Sequence, residues 1–183
     1  MNLSKLILRI AGWKVKITVP DYPKCIICVA PHTSNWDFIL GKLAYASVGR
    51  KAGFLMKSSW FVFPLGIIFK AIGGVPVFRD KKARKEPSLV EQLVEKMNSS
   101  QRLSLAITPE GTRKRTTKWH TGFLRIAYEA HIPIVLGALD FRNKEITITR
   151  EFTPTGNIEE DMTAVKNYYK NFPGKRPKNF TAE

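Results

Sequence analysis

The sequence predicts an α/β fold: a single-domain sandwich with a mixed, largely parallel central sheet flanked by helices, plus an N-terminal amphipathic helix. Three observations carry this. Short continuous apolar runs at 25–30, 103–107 and 132–139 have the length and texture of buried strands. They alternate with segments of helical periodicity, the pattern of parallel strands covered on both faces. At 183 residues, 44% of them hydrophobic, the chain can fill one core. No internal repeat or linker-like composition divides it, so 1–183 reads as one domain.

Leu3, Leu6, Ile7 and Ile10 recur at helical spacing, with Asn2, Lys5 and Arg9 largely on the other face. Residues 1–14 therefore read as a short basic helix, either packed on the domain or lying in a membrane headgroup layer. Residues 14–19 alternate as a strand, and Pro20-Asp21-Tyr22-Pro23 makes a turn before the strand at 25–30. A helix follows at 38–48, ended by Gly49, then a short strand at 54–56. Residues 60–72 are densely apolar but contain Pro64 and Gly66, too short and broken to span a bilayer. They suit either a core helix or an exposed patch, flanked by Lys57 and Lys70, that meets a membrane or lines an acyl chain.

Gly73-Gly74 turns into a strand at 75–78, with Arg79 at its far end and a basic loop at 80–85. Ser88 and Glu91 form a capping box that opens a helix to about Asn98. The strand at 103–107 is followed by a helix at 122–129 and strands at 132–139 and 145–150. Asn157 with Glu160 caps a last helix. The tail, 174–183, is basic and expected to be loose.

Lys and Arg total 30 against 15 acidic residues, a formal charge of +15. This balance points to a polyanionic partner: nucleic acid, an anionic membrane or phosphorylated substrates. No uninterrupted apolar run reaches membrane-spanning length, and Lys5 and Arg9 break the N-terminal stretch, so neither a transmembrane helix nor a secretory signal is expected. Cys25 and Cys28 have C-x-x-C spacing. On a strand, residues three apart face opposite sides, so these thiols can share neither a metal nor a disulfide. The three histidines form no H-E-x-x-H motif, and no metal site or bound cofactor is expected.

The chemistry-bearing stretch is Pro31-His32-Thr33-Ser34-Asn35-Trp36-Asp37. It joins a strand to a helix, where open α/β folds place ligands. His32 sits at the strand's open end and Asp37 in the first helical turn. A carboxylate on the imidazole Nδ1 would fix the tautomer and leave Nε2 free as a base. No protein nucleophile accompanies the pair, so the nucleophile would be the substrate's own hydroxyl. The same residues also fit a capping box in which Asp37 binds only backbone amides. Beyond the strand at 103–107 comes Thr108-Pro109-Glu110-Gly111-Thr112-Arg113. Gly111 permits close backbone approach, and Arg113 offers a fork that matches phosphate oxygens. A turn with solvated cations satisfies those residues too.

Four blocks occur in order: His32 and Asp37 as H-x4-D, Gly73-Gly74-Val75-Pro76-Val77-Phe78-Arg79, Pro109-Glu110-Gly111-Thr112-Arg113, and Ile132-Pro133-Ile134-Val135. Together they resemble the four blocks of the glycerolipid acyltransferases, the lysophosphatidate acyltransferase family, over about residues 25–140. The chain is similar to a short bacterial branch, with Pro31 where the family often has asparagine.

The resemblance implies an O-acyltransferase. His32 is then the general base and Asp37 its orienter. Arg79 and Arg113 hold the acceptor's phosphate, with Gly111 and Thr112 adding contacts. Glu110 joins that site, holding the loop or pairing an arginine, and His120 is a secondary phosphate contact or simply solvated. The donor is acyl-coenzyme A or acyl-acyl carrier protein, and the acceptor a lysophospholipid or related glycerolipid precursor. The resemblance also implies a peripheral location on the cytoplasmic face of the bacterial inner membrane. Two other readings are a thioester hydrolase using the same pair and a basic nucleic-acid-binding domain. The scattered positive charges and the absence of RRM, KH or C2H2 signatures stand against the latter.

Overall fold

β2, Lys24–Val29, is the middle strand of a seven-stranded sheet and is buried on both faces. The computed structural model describes residues 2–77 and 87–183. Around β2 stand β1 (Lys14–Ile17), β3 (Gly53–Lys57), β4 (Gly74–Val77), β5 (Leu103–Ile107), β6 (Ile134–Asp140) and β7 (Glu145–Phe152), in the order β1-β7-β6-β2-β5-β3-β4. The five strands from β6 to β4 run parallel; β7 is antiparallel to β6 and parallel to β1. The mixed, largely parallel sheet thus matches the sequence expectation.

Alternation along β2 divides the core. Ile26 and Cys28 face a cluster built with α4 (Leu89–Ser99), α5 (Gly122–Glu129) and α6 (Ile158–Tyr169). Cys25 and Ile27 face the opposite side, with Tyr45 of α2 (Asn35–Ser47). The two thiols are therefore free, buried and on opposite faces. Burial raises the pKa of both, that of Cys28 to about 12. The Tyr169 hydroxyl, fully buried, donates to the Cys28 carbonyl at 2.7 Å and ties α6 to the central strand.

The N-terminal helix, α1 (Leu3–Ile10), serves both sides. Leu8 is buried against Leu40 and Ala44 of α2, and Asn2 Nδ2 donates to the Ala46 carbonyl at 2.6 Å. Leu3, Ile7 and Ile10 point outward and are 69%, 41% and 78% exposed. The residue that anchors the helix, Leu8, lies outside the stripe that the periodicity picked out.

Residues 60–72 are not a core helix. A 3₁₀ turn, Ser58–Trp60, leads to α3 (Leu65–Ala71), and Trp60, Val62, Phe63, Ile67 and Ile68 are all exposed. Gly66 packs on the Phe61 backbone so closely that a Cβ there would lie 2.7 Å from its carbonyl. The Lys42 ammonium, from α2, donates to the carbonyls of Ala52 at 2.7 Å and Ile72 at 2.8 Å, tying the residue before β3 to the end of α3. Burial lowers the pKa of Lys42. Phe78, Arg79 and the basic loop at 80–85 lie outside the described residues.

The C-terminal segment corrects an expectation. It is not loose: Arg176 N donates to Thr33 Oγ1 at 3.2 Å, Pro177–Asn179 forms a 3₁₀ turn, and Thr181 and Ala182 are buried. Phe180 packs on Trp119 with centroids 6.1 Å apart. The basic composition drew attention from the two apolar residues, Phe180 and Ala182, that seat the segment. Phe180→Ala should accordingly lower unfolding stability by about 2 kcal/mol, read from the denaturant midpoint; an unchanged midpoint would mean that the segment is not packed in solution.

Candidate active site

β2 and β5 are parallel neighbours, with Cys25 opposite Ser104 and Cys28 opposite Ile107. Their exits therefore emerge side by side, one carrying His32 and the other Glu110, Gly111 and Arg113. This is the shared carboxyl edge where parallel sheets place their sites.

Ser34 is the N-cap of α2 and holds extended backbone, and Asp37 occupies the third helical position. The Asp37 carboxylate is 2% exposed. Its Oδ2 accepts from Thr33 N and Ser34 N, each at 2.7 Å, and its Oδ1 accepts from Ser34 Oγ at 2.9 Å. These bonds satisfy the orphan amides that precede a helix. The same Oδ2 lies 3.3 Å from His32 Nδ1, a buried nitrogen with no other partner. This is a close polar contact rather than a formed hydrogen bond. The carboxylate that caps α2 is thus also the one that lies beside the imidazole. With Nδ1 turned to Asp37, Nε2 is the ring nitrogen left to act, and His32 lines a large cavity.

Glu110 is 3% exposed, and its Oε1 accepts from His32 N at 2.6 Å. It pairs with no arginine among the described residues and does not line the cavity, so it holds the His32 loop rather than a substrate. Burial raises its pKa from 4.5 to about 8; the His32 amide opposes that rise and the Asp37 carboxylate adds to it. The carboxyl is therefore largely neutral at pH 7.

Gly111 has φ +64°, in the left-handed region, and a Cβ there would come within 2.8 Å of the His120 ring. Gly111, Arg113 and His120 line the cavity beside His32. Thr112 lies outside that lining, and its hydroxyl accepts from Lys114 N at 3.2 Å, closing the turn. Arg113 contacts the Asn35 side-chain oxygen. Arg79, expected to share the site, is outside the described residues. No group of three or more metal-ligating side chains occurs among the described residues.

The cavity measures about 1440 Å³ and is apolar along the α2 side, where Phe38, Gly41 and Tyr45 face Ile27, Phe54 and Met56. Gly41 adds no side chain there, and a Cβ would meet nothing within 4 Å. The room exceeds that of a typical single-ligand pocket. A second depression, about 270 Å³, flanks the start of α2 and is lined by Asn35, Trp36, Arg113, Lys175 and Arg176, among others. Sequence reasoning missed Lys175 and Arg176, along with the Lys42 clamp. No local pattern distinguishes them from the many solvated cations of this chain; only the packing of Phe180 and Ala182 could have hinted that the tail returns.

Glu110 carries a pH prediction. Its folded pKa is raised, so the folded state keeps its proton longer than the unfolded chain. Stability from this group is present below about pH 4.5 and is lost as pH rises through about 8. Glu110→Gln should flatten the decline in unfolding midpoint between pH 5 and 9; an equal decline in both proteins would refute the assignment.

The family profile described as Acyltransferase matches residues 15–136, from β1 into β6 and across every block named above. No curated protein sequence matches the chain. The crystal structure of the 1-acyl-sn-glycerophosphate (LPA) acyltransferase PlsC from Thermotoga maritima is similar in fold, with a TM-score of 0.58 and 16% identity over 90% of this chain and 74% of that chain. With a profile match over well more than half its length, the chain belongs to the acyltransferase family.

Proposed function

We propose that the protein is an O-acyltransferase that moves a fatty acyl group from an acyl thioester to a hydroxyl of a lysophospholipid or related glycerolipid precursor. The observation that carries this is the His32–Asp37 arrangement. An imidazole that lines a large, partly apolar cavity faces a buried carboxylate that three hydrogen bonds hold in place.

Asp37 keeps the proton on His32 Nδ1. Nε2 then removes the proton of the acceptor hydroxyl as that oxygen attacks the thioester carbonyl, and Asp37 stabilises the imidazolium. The tetrahedral intermediate collapses, the carbon–sulfur bond breaks, and His32 returns the proton to the departing thiolate. General-base help supplies roughly 10²–10⁴-fold, and placing two substrates in one cavity supplies much of the remainder. Neither cysteine serves as an acyl acceptor: both are buried, with thiol pKa values raised by burial.

Arg113 holds the acceptor's phosphate, and Arg79 joins it. The apolar wall along α2 receives the acyl chain of a donor carried on coenzyme A or acyl carrier protein. The protein works as a peripheral enzyme at the cytoplasmic face of the bacterial inner membrane. Leu3, Ile7 and Ile10 of α1 and the Trp60–Phe63–Ile67 surface enter the bilayer, with Lys57 and Lys70 at the headgroups. No helix among the described residues is long and apolar enough to cross a membrane.

The test is thiol release from long-chain acyl-coenzyme A and acyl-acyl carrier protein, against lysophospholipids, glycerol 3-phosphate and buffer alone. Acceptor-dependent release is expected, falling at least a hundredfold in His32→Ala with the thermal midpoint preserved. Equal release in buffer alone would instead mark a hydrolase, and undiminished turnover in His32→Ala would remove the base. For the membrane surface, Phe63→Asp with Ile67→Asp should weaken flotation with anionic vesicles at least tenfold; unchanged flotation would exclude α3 from the contact.

A further inference from the structure

We propose that the depression at the start of α2 is a phosphate-ester subsite completed by the C-terminal segment, with Lys175 and Arg176 as its recognition residues. The substrate role rests on the acyltransferase reading; the binding itself does not.

Three cations from two distant stretches of chain, Arg113 from the β5 exit and Lys175 and Arg176 from the tail, converge on one concavity of about 270 Å³. Among the described residues, none of the three forms a salt bridge with a carboxylate. Arg113 leans on the Asn35 side chain, and the Lys175 ammonium lies 5.1 Å from the centroid of the Trp36 ring. Gathering like charges without a counter-charge is unfavourable, and a bound anion resolves it. The 13-residue helix α2 adds to the field, since Ser34, Asn35 and Trp36 at its positive end line the same depression.

The tail is built into this place. Gly174 abuts Thr33 so tightly that a Cβ would lie 2.8 Å from its side chain. Arg176 N donates to Thr33 Oγ1, and Asn179 Nδ2 donates to the Arg113 carbonyl at 3.1 Å. The segment is thus fastened to both walls, and its two cations are delivered rather than left at large. The size and the cations suit a phosphate and its nearest substituents, not an acyl chain. Thr33 follows His32 directly, and Arg113 lines both this depression and the large cavity. An anion seated here is therefore part of a molecule that reaches His32: the acceptor's headgroup or the donor's carrier.

Calorimetric titrations with inorganic phosphate, glycerol 3-phosphate and adenosine 3′,5′-bisphosphate test the site without requiring turnover. The wild type should bind at least one, and Lys175→Ala/Arg176→Ala should bind it at least tenfold more weakly. Lys96→Ala, an exposed cation on α4, should leave binding unchanged. Gly174→Val, which displaces the segment without removing a charge, should reproduce the loss. No binding by the wild type, or equal binding by the double variant, overturns the site. Steady-state kinetics then identify the source. A tenfold rise in the acceptor's KM with kcat within twofold assigns the headgroup, and the same rise for acyl-coenzyme A assigns the donor. Unchanged KM values for both overturn the substrate role even if phosphate binds.

Discussion

The structure of the site depends on one buried carboxylate. Asp37 is almost fully removed from water, a costly position for a charge unless donors surround it. It has them, because a helix begins there: the amides of Thr33 and Ser34 and the Ser34 hydroxyl all point inward to it. The oxygen that accepts both amides is also the one facing His32 Nδ1. Helix initiation and imidazole orientation therefore share an atom, and neither can be altered alone. The rest of the frame keeps the loop in register. Glu110 holds its amide from the β5 side, and Tyr169 braces β2 from below.

Charge is distributed to match. Two carboxyls lie close to His32, and burial raises the pKa of one of them, Glu110. The cations stand further out, around the rim. This separation lets a chain with formal charge +15 keep a site that is not swamped by its own positive field.

Much of this was legible in the sequence. The apolar runs gave β2, β5 and β6, because a strand buried on both faces leaves a continuous signature. The Ser34–Asp37 spacing announced the cap, and the His32–Asp37 spacing a contact between the two side chains; both intervals end on the same residue. What stayed hidden depends on neighbours distant in sequence. Nothing local says that Glu110 reaches the His32 backbone rather than an arginine or a substrate. That follows only from β2 and β5 lying side by side. The tail was misjudged for the same reason: its charge is local, while its seat, on Thr33 and Trp119, is not. In α1 the periodic stripe was real, but the contact with α2 runs through Leu8.

The bond between His32 N and Glu110 Oε1 joins positions 78 residues apart. The His32–Asp37 pair is local, and can form as soon as the first turn of α2 does. Its frame cannot. Closing so long a loop carries an entropic cost that must be met before the contact is rewarded, which makes such pairings slow steps in folding. A growing chain therefore carries His32 and Asp37 long before it carries the loop that holds them in place. The site is assembled only after β5 has emerged and docked, and no N-terminal fragment that stops short of it contains the complete arrangement.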